Sequence, residues 1–173
     1  PEQRRKCMAE VKGSNTRPEM IVRKYLFAKG LRYRVNNRKL PGSPDIVLRK
    51  YRTVIFVDGC FWHGHEGCKL FKLPQSNRQY WEHKIRLNYA HDYRANVELK
   101  LLGWRVIRIW ECELRNKARQ ADTLKHVYET ITGLSAASPY DYESAPQTEA
   151  AENPESYGRL NQDYKSEEVN RHS

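Results

Sequence analysis

The chain has 173 residues, with 31 Lys and Arg against 21 Asp and Glu, a formal net charge of +10, and 39% hydrophobic residues. That length supports one core of a few strands and helices, not two independent ones. No apolar run approaches the ~18 residues of a membrane span, and PEQRRKCMAEVKG has no signal-peptide core, so a membrane protein is excluded and a soluble cytoplasmic one expected.

The positive charge is unevenly spread. From Ser135 onward there are eight acidic against three basic residues, which leaves 28 basic against 13 acidic in the body, a surplus of +15. A body that basic points to a polyanion, because each Lys or Arg that replaces a condensed counterion on a phosphate backbone adds salt-dependent affinity.

Residues 1–15 are polar, basic and aperiodic, and are expected to form an arm. Thr16-Arg17-Pro18-Glu19 then carries a helix start: a capping hydroxyl, a proline in the first turn and a glutamate three residues after the cap. Ile21, Val22, Tyr25 and Leu26 supply the apolar stripe and Gly30 the stop, which predicts a helix over 17–29. LRYRVN at 31–36, DIVLRK at 45–50 and TVIFVD at 53–58 read as strands separated by turns, the last two as a hairpin. TVIFV is apolar without alternation, as suits a strand buried on both faces. From Asn77 to Leu102 the chain is helix-compatible, with Trp81, Ile85, Tyr89, Tyr93 and Val97 spaced by four. WRVIRIW at 104–110 alternates like a strand, and a last helix is expected over 116–132. This order describes an α/β sandwich, a mixed central sheet flanked by helices, over residues 16–134. Beyond Leu134 the composition turns to Ser, Ala, Pro, Glu and Asn, and residues 135–173 are expected to be a disordered acidic tail.

The densest chemical signal is CFWHGHEGC at 60–68. Cys60, His65 and Cys68 sit in one short loop and Cys112 follows the strand at 104–110, so four N/S ligands from two segments can complete a tetrahedral zinc site. A shell filled by protein leaves no open position for catalysis, so such an ion is assigned to stability. In a reducing compartment these thiols are ligands or free cysteines rather than disulfides. Phe61 and Trp62 fit two roles, packing against the sheet or wedging between base pairs. Asp45 opens a strand beside the strand end that carries Asp58, and their oxygens together could hold a hard cation such as Mg²⁺; as a residue after Gly-Ser-Pro, Asp45 equally fits a turn. Glu19 is explained by the capping box alone, and a second role near a metal is open to it. Asp92 on the long helix reads first as a solvated residue, with orientation of an active-site histidine as the other reading.

LPGSPDIVL, YRTVIFVDGCFWHGHEGC, YWEHKI and LGWRVIRIWEC, in this order and at these distances, resemble the Vsr endonucleases from about Arg4 to Thr132. The resemblance implies a restriction-endonuclease-like fold and a nuclease that nicks one strand beside a T:G mismatch in double-stranded DNA, acting alongside other repair proteins. It implies Asp45 as the principal Mg²⁺ ligand, the Val57 carbonyl as a second, Glu19 as a carboxylate near the metal's waters and His63 as the catalytic histidine. Cys60, His65, Cys68 and Cys112 are implied as zinc ligands, with Cys68 one residue later than in the best-studied pattern. Phe61, Trp62 and, from the N-terminal arm, Met8 are implied to insert into the duplex. Asp58 departs from the pattern, standing where the best-known member has a second active-site histidine; it cannot donate a proton at neutral pH unless strongly perturbed, and metal binding is its other role. Two alternatives remain beside this expectation: a nuclease of the same fold acting on another mismatch or in restriction, and a non-catalytic zinc-stabilised DNA-binding module.

Overall fold

The computed structural model describes residues 14–133. The expected arm up to residue 13, with Met8 in it, and the expected tail from residue 135 lie outside the described residues.

Helix α1 spans Arg17–Ala28 and begins as its sequence dictates. The Thr16 hydroxyl accepts from the Glu19 amide at 3.4 Å, and Glu19 accepts in return from the Thr16 amide at 3.2 Å. Val22 and Leu26 face the core and are fully buried.

Four strands follow: β1 (Arg34–Val35), β2 (Ile46–Leu48), β3 (Thr53–Asp58) and, after the long helix α2 (Arg78–Leu101), β4 (Arg105–Trp110). The sheet order is β1-β2-β3-β4. β1 and β3 run antiparallel to β2, while β4 runs parallel to β3, in register from Thr53↔Arg105 to Asp58↔Trp110. The helix α2 makes the crossover that a parallel pair requires. Two further helices close the chain: α3 (Glu111–Arg115), which the sequence did not announce, and α4 (Lys117–Thr132), capped by the Asn116 side chain on the amides of Ala118 and Arg119. The result is the expected mixed sheet between helices.

β1 is shorter than the expected 31–36. The Leu31 amide donates to Leu26 O and closes α1, and Asn36 at φ +46° leaves the extended region, so only Arg34 and Val35 remain to pair. β2 stops at Leu48 because Arg49–Tyr51 forms a 3₁₀ turn, and Arg52 at φ +50° reverses the chain into β3.

Strand alternation divides the core into two layers. Ile46, Leu48, Ile55, Ile107 and Ile109 face α1, α3 and α4, where they meet Val22, Leu26, Leu114, Leu124, Val127 and Ile131. Val47, Val54, Phe56 and Val106 face the other way and meet Leu99 of α2. The expected stripe spaced by four on α2 is not its buried face: Tyr93 and Val97 are exposed, and Ala95, Asn96 and Leu99 are buried. Steps of four advance about 40° beyond a full turn, so a stripe of five such residues winds away from the sheet.

Leu99 is the one large apolar side chain that α2 commits fully to the second layer, with none of its surface exposed. Leu99→Ala is expected to lower unfolding free energy by about 3 kcal/mol through lost burial and the cavity left behind. Urea titration followed by circular dichroism measures this; a loss below about 1 kcal/mol would show that α2 is held chiefly by other contacts.

Candidate active site and metal centre

β3 and β4 end side by side, and the polar chemistry gathers there. Alternation sends Asp58 from β3 and Arg108 from β4 to the side where α2 packs, the side of Phe56 and Val106. Asp45 lies just ahead of β2, across the sheet from the last residues of β3.

Asp45 Oδ2 accepts from the Val57 amide at 2.7 Å, which fastens the loop before β2 to the end of β3. In an extended strand the N–H and C=O of one residue project to the same side, so the Val57 carbonyl lies along the edge that Asp45 occupies. Burial raises the Asp45 carboxyl to about 6; the Val57 hydrogen bond opposes this, and the negative charges of Glu19 and Asp58 add to it. Glu19 is itself buried and accepts from the amides of Asn15 and Thr16 and from the Thr16 hydroxyl. Its capping role is therefore fulfilled in full, and it acts on Asp45 as a nearby charge.

His63 lies in the loop after β3. Its Nδ1 is 2.5 Å from Asp92 Oδ2 and its Nε2 is 3.9 Å from Asp58 Oδ1. A carboxylate is acceptor-only, so Nδ1 carries the proton and, in the neutral ring, Nε2 presents its lone pair. Burial alone would pull this imidazole down, but the hydrogen bond to Asp92 and the charges of Asp58 and Asp92 outweigh both burial and Arg108, so His63 is held above the ordinary histidine value. Asp92 is thus no solvated helix residue; α2 aims it at the histidine.

Cys60, His65, Cys68 and Cys112 converge, with their ligating atoms all within 4.8 Å of one another. Three sulfurs and one imidazole nitrogen are the donor set of a structural tetrahedral site, in which neighbouring ligands at ~2.3 Å from the metal stand roughly 3.5–4 Å apart. Small rotations of these side chains close the difference. Burial raises the Cys60 thiol to about 12, and it raises Cys112 as well, whereas the Leu70 amide lowers Cys68. Three thiols this close resist ionising together unless a cation shares the space. His65 stacks on Trp110 with ring centroids 4.1 Å apart and planes 6° apart, which fixes its ring toward Cys112. Gly67, just before Cys68, turns the loop at φ +69°, a conformation that suits a glycine. Gly64 is constrained twice, by φ +64° and by Ile85, whose methyl would stand 2.7 Å from an added Cβ.

Between the ligands, Phe61 and Trp62 lie half-buried and meet Trp81 of α2 edge-to-face at centroid distances of 5.2 and 6.0 Å, with Tyr80 against Trp81 at 5.2 Å. The Asn88 amide donates to Trp62 O at 2.8 Å, tying the loop to α2.

The structure therefore brings Asp45, Val57, Glu19, Asp58 and His63 to one end of the sheet, with the cysteine cluster and aromatic group adjoining. Sequence reasoning misses two residues there and underrates a third. Trp81 reads from sequence as one member of an apolar stripe. Arg108 does not stand out in an alternating strand, although a guanidinium in mid-strand among Val106, Ile107 and Ile109 is itself a signal of a buried ion pair. Asp92 reads first as a solvated residue.

The family model described as DNA mismatch endonuclease Vsr matches residues 1–69. A type II nicking enzyme of Xanthomonas oryzae, V.XorIIP, is 46% identical over 127 residues, covering 73% of this chain and 93% of its own. Another from Neisseria meningitidis, V.NmeAIP, is 44% identical over 124 residues, 72% of this chain and 88% of its own. The DNA mismatch endonuclease Vsr of Escherichia coli is 39% identical over 140 residues, 80% of this chain and 89% of its own.

Cys112→Ser removes the only thiol that α3 gives to the cluster. Metal analysis of the purified variant is expected to find bound divalent metal well below one equivalent, with a melting temperature lower by about 10 °C or more. Undiminished metal with unchanged melting would mean that these residues hold no ion.

Proposed function

The chain belongs to the DNA mismatch endonuclease Vsr family, and from that premise we propose that it nicks one strand of double-stranded DNA beside a T:G mismatch. The observation that carries the reading is the meeting of Asp45, the Val57 backbone and the His63–Asp92 pair at one end of the sheet.

Asp45 and the Val57 carbonyl are hard oxygen donors, and a carboxylate with about four acceptor positions has room for a cation beside its bond to the Val57 amide. The donor chemistry fits Mg²⁺. Burial, with a smaller addition from the charges of Glu19 and Asp58, disfavours the Asp45 charge in the absence of a cation. Bound there, the ion would polarise the scissile phosphate and offset charge on the leaving 3′ oxygen.

His63 supplies the base. With Nδ1–H committed to Asp92, Nε2 can take a proton from the attacking water, and Asp58 at 3.9 Å is placed to stabilise the imidazolium that results. Asp58 fits this electrostatic role better than metal ligation, because its Oδ2 accepts from Arg108 at 2.5 Å. The bond from phosphorus to the 3′ oxygen breaks as water adds, leaving a 5′-phosphate and a 3′ alkoxide that takes a proton from solvent to become the 3′-hydroxyl.

Zinc is the ion proposed for the Cys60, His65, Cys68 and Cys112 cluster, on the strength of its three thiolates and one imidazole. Its function is to hold the loop that carries Phe61, Trp62 and His63. Phe61, Trp62 and Trp81 form one aromatic wedge whose insertion costs a few kcal/mol of unstacking. A mispaired step resists this least, which is a physical source of mismatch preference. Met8, outside the described residues, is proposed to insert from the arm. The basic body supplies phosphate contacts, the charge surplus being concentrated before Ser135.

On an end-labelled T:G duplex in Mg²⁺, the parent chain is expected to cut one strand once, faster than on T:C or fully paired duplexes. Asp45→Ala is expected to lower the rate at least ~100-fold with little change in binding. Equal cleavage by parent and variant sinks the metal assignment, and binding without any nicking leaves only a DNA-binding module.

Trp81→Ala opens the back of the wedge. Single-turnover assays are expected to show about 10-fold weaker discrimination between T:G and paired duplexes, corresponding to loss of an aromatic contact of ~1–1.5 kcal/mol. Unchanged discrimination would assign Trp81 to packing alone.

A further inference from the structure

Arg108 is a charged side chain in the middle of an apolar strand, 8% exposed, with its guanidinium 4.7 Å from the Phe56 ring centroid. It does not contact solvent in the manner of a phosphate-binding arginine. Nη1 donates to Asp58 Oδ2 at 2.5 Å, while Nη2 donates to the Asp92 backbone carbonyl at 3.4 Å and lies 3.6 Å from Asp92 Oδ1. These are the two carboxylates that flank His63, one beside each ring nitrogen. The planar fork of a guanidinium can address two acceptors at once, which a point charge on a flexible stem cannot.

We infer that Arg108 is a positioning residue for the nicking reaction: it clamps Asp58 of β3 and Asp92 of α2 into one rigid frame that sets the orientation of the His63 ring. The inference rests on the reading of His63 as the base and names what holds that base in place. Without the clamp, the buried Asp58 and the partly buried Asp92 carboxylates would face each other across the imidazole, and their repulsion would oppose the packing of α2 at the end of the sheet. With it, one positive charge contacts both residues. The packing of Arg108 on Phe56 fixes the guanidinium from behind. From β4, one strand from Asp58 and beneath α2, this single side chain contacts both residues.

The test compares parent, Arg108→Lys and His63→Ala in single-turnover nicking, in affinity for the same T:G duplex, and in the proton NMR signal of the His63 Nδ1–H. A proton shared with a carboxylate at this distance resonates far downfield and exchanges slowly, and its assignment follows from its absence in His63→Ala. Arg108→Lys is expected to bind DNA as the parent does, to nick about 100-fold more slowly, and to lose or shift that signal. The double variant Asp58→Asn with Arg108→Gln removes both buried charges together and serves where the lysine variant fails to fold; the same slowing and the same loss of signal are expected. Parent-like nicking with the signal intact in either folded variant overturns the inference, as does a rate loss matched by an equal loss of DNA affinity. Parent-rate nicking by His63→Ala instead removes the reading of the base, and the NMR comparison then decides by itself whether Arg108 sets the ring.

Discussion

The parallel pairing of β3 with β4 is the constraint from which the rest of the site follows. Because Asp58 is level with Trp110, the loop that leaves β3 and the helix that leaves β4 start at the same edge of the sheet. A ligand set divided between residues 60–68 and Cys112 can then meet without a long excursion of either segment. Ligand and substrate sites recur outside the carboxyl ends of parallel strands for the same geometric reason: several loops start there with their backbones already aimed. The antiparallel hairpin of β2 and β3 adds Asp45 from the other direction, so three segments distant in sequence are joined at one place.

Charge accumulation at that end demands compensation. Asp45, Glu19, Asp58 and Asp92 are all at least partly buried there, and the negative charges of Glu19 and Asp58 add to burial in raising the Asp45 carboxyl. The protein distributes the load unequally. Glu19 is hydrogen-bonded by donors from its own helix start, Asp58 and Asp92 share Arg108, and Asp45 has one backbone amide. The least compensated carboxylate is therefore the one proposed to take a cation. Removing one member of a buried pair such as Asp58–Arg108 costs about 3–5 kcal/mol, more than its attraction contributes relative to an apolar pair, so its retention here points to orientation rather than stability.

Local chemistry is legible in the sequence, and long-range geometry is not. The Thr16–Glu19 cap, the buried strand at 53–58 and the hairpin before it are written in adjacent residues, and the structure reproduces them. Cys60, His65 and Cys68 announce a metal site because two thiols and an imidazole packed into nine residues are a donor set with few uses besides holding an ion; Cys112 joins them by donor chemistry. The contact between His63 and Asp92 spans 29 residues and that between Arg108 and Asp58 spans 50, and no periodicity encodes which face of α2 will meet which strand. The α2 stripe misleads for a related reason. Spacing by four identifies helix but drifts around it, and only the sheet's position decides which part of the spiral is covered.

The loop CFWHGHEGC reconciles two demands that ordinarily conflict. A wedge must be exposed enough to enter a duplex, yet rigid enough that little ordering entropy, ~1–2 kcal/mol per residue, is left to be lost on binding. In this loop residues 61–63 form one block between the cluster members Cys60 and His65. Cys60, His65 and Cys68 turn toward Cys112, whereas Phe61, Trp62 and His63 turn toward α2, where Trp81 and Asp92 receive them. Gly64, between His63 and His65, turns at φ +64° and lies so close to Ile85 of α2 that an added Cβ would meet its methyl at 2.7 Å. The loop is thereby held from the cysteine side while its aromatics and His63 face α2, so in the proposed function an ion held by the four ligands would order the wedge and the histidine without touching DNA.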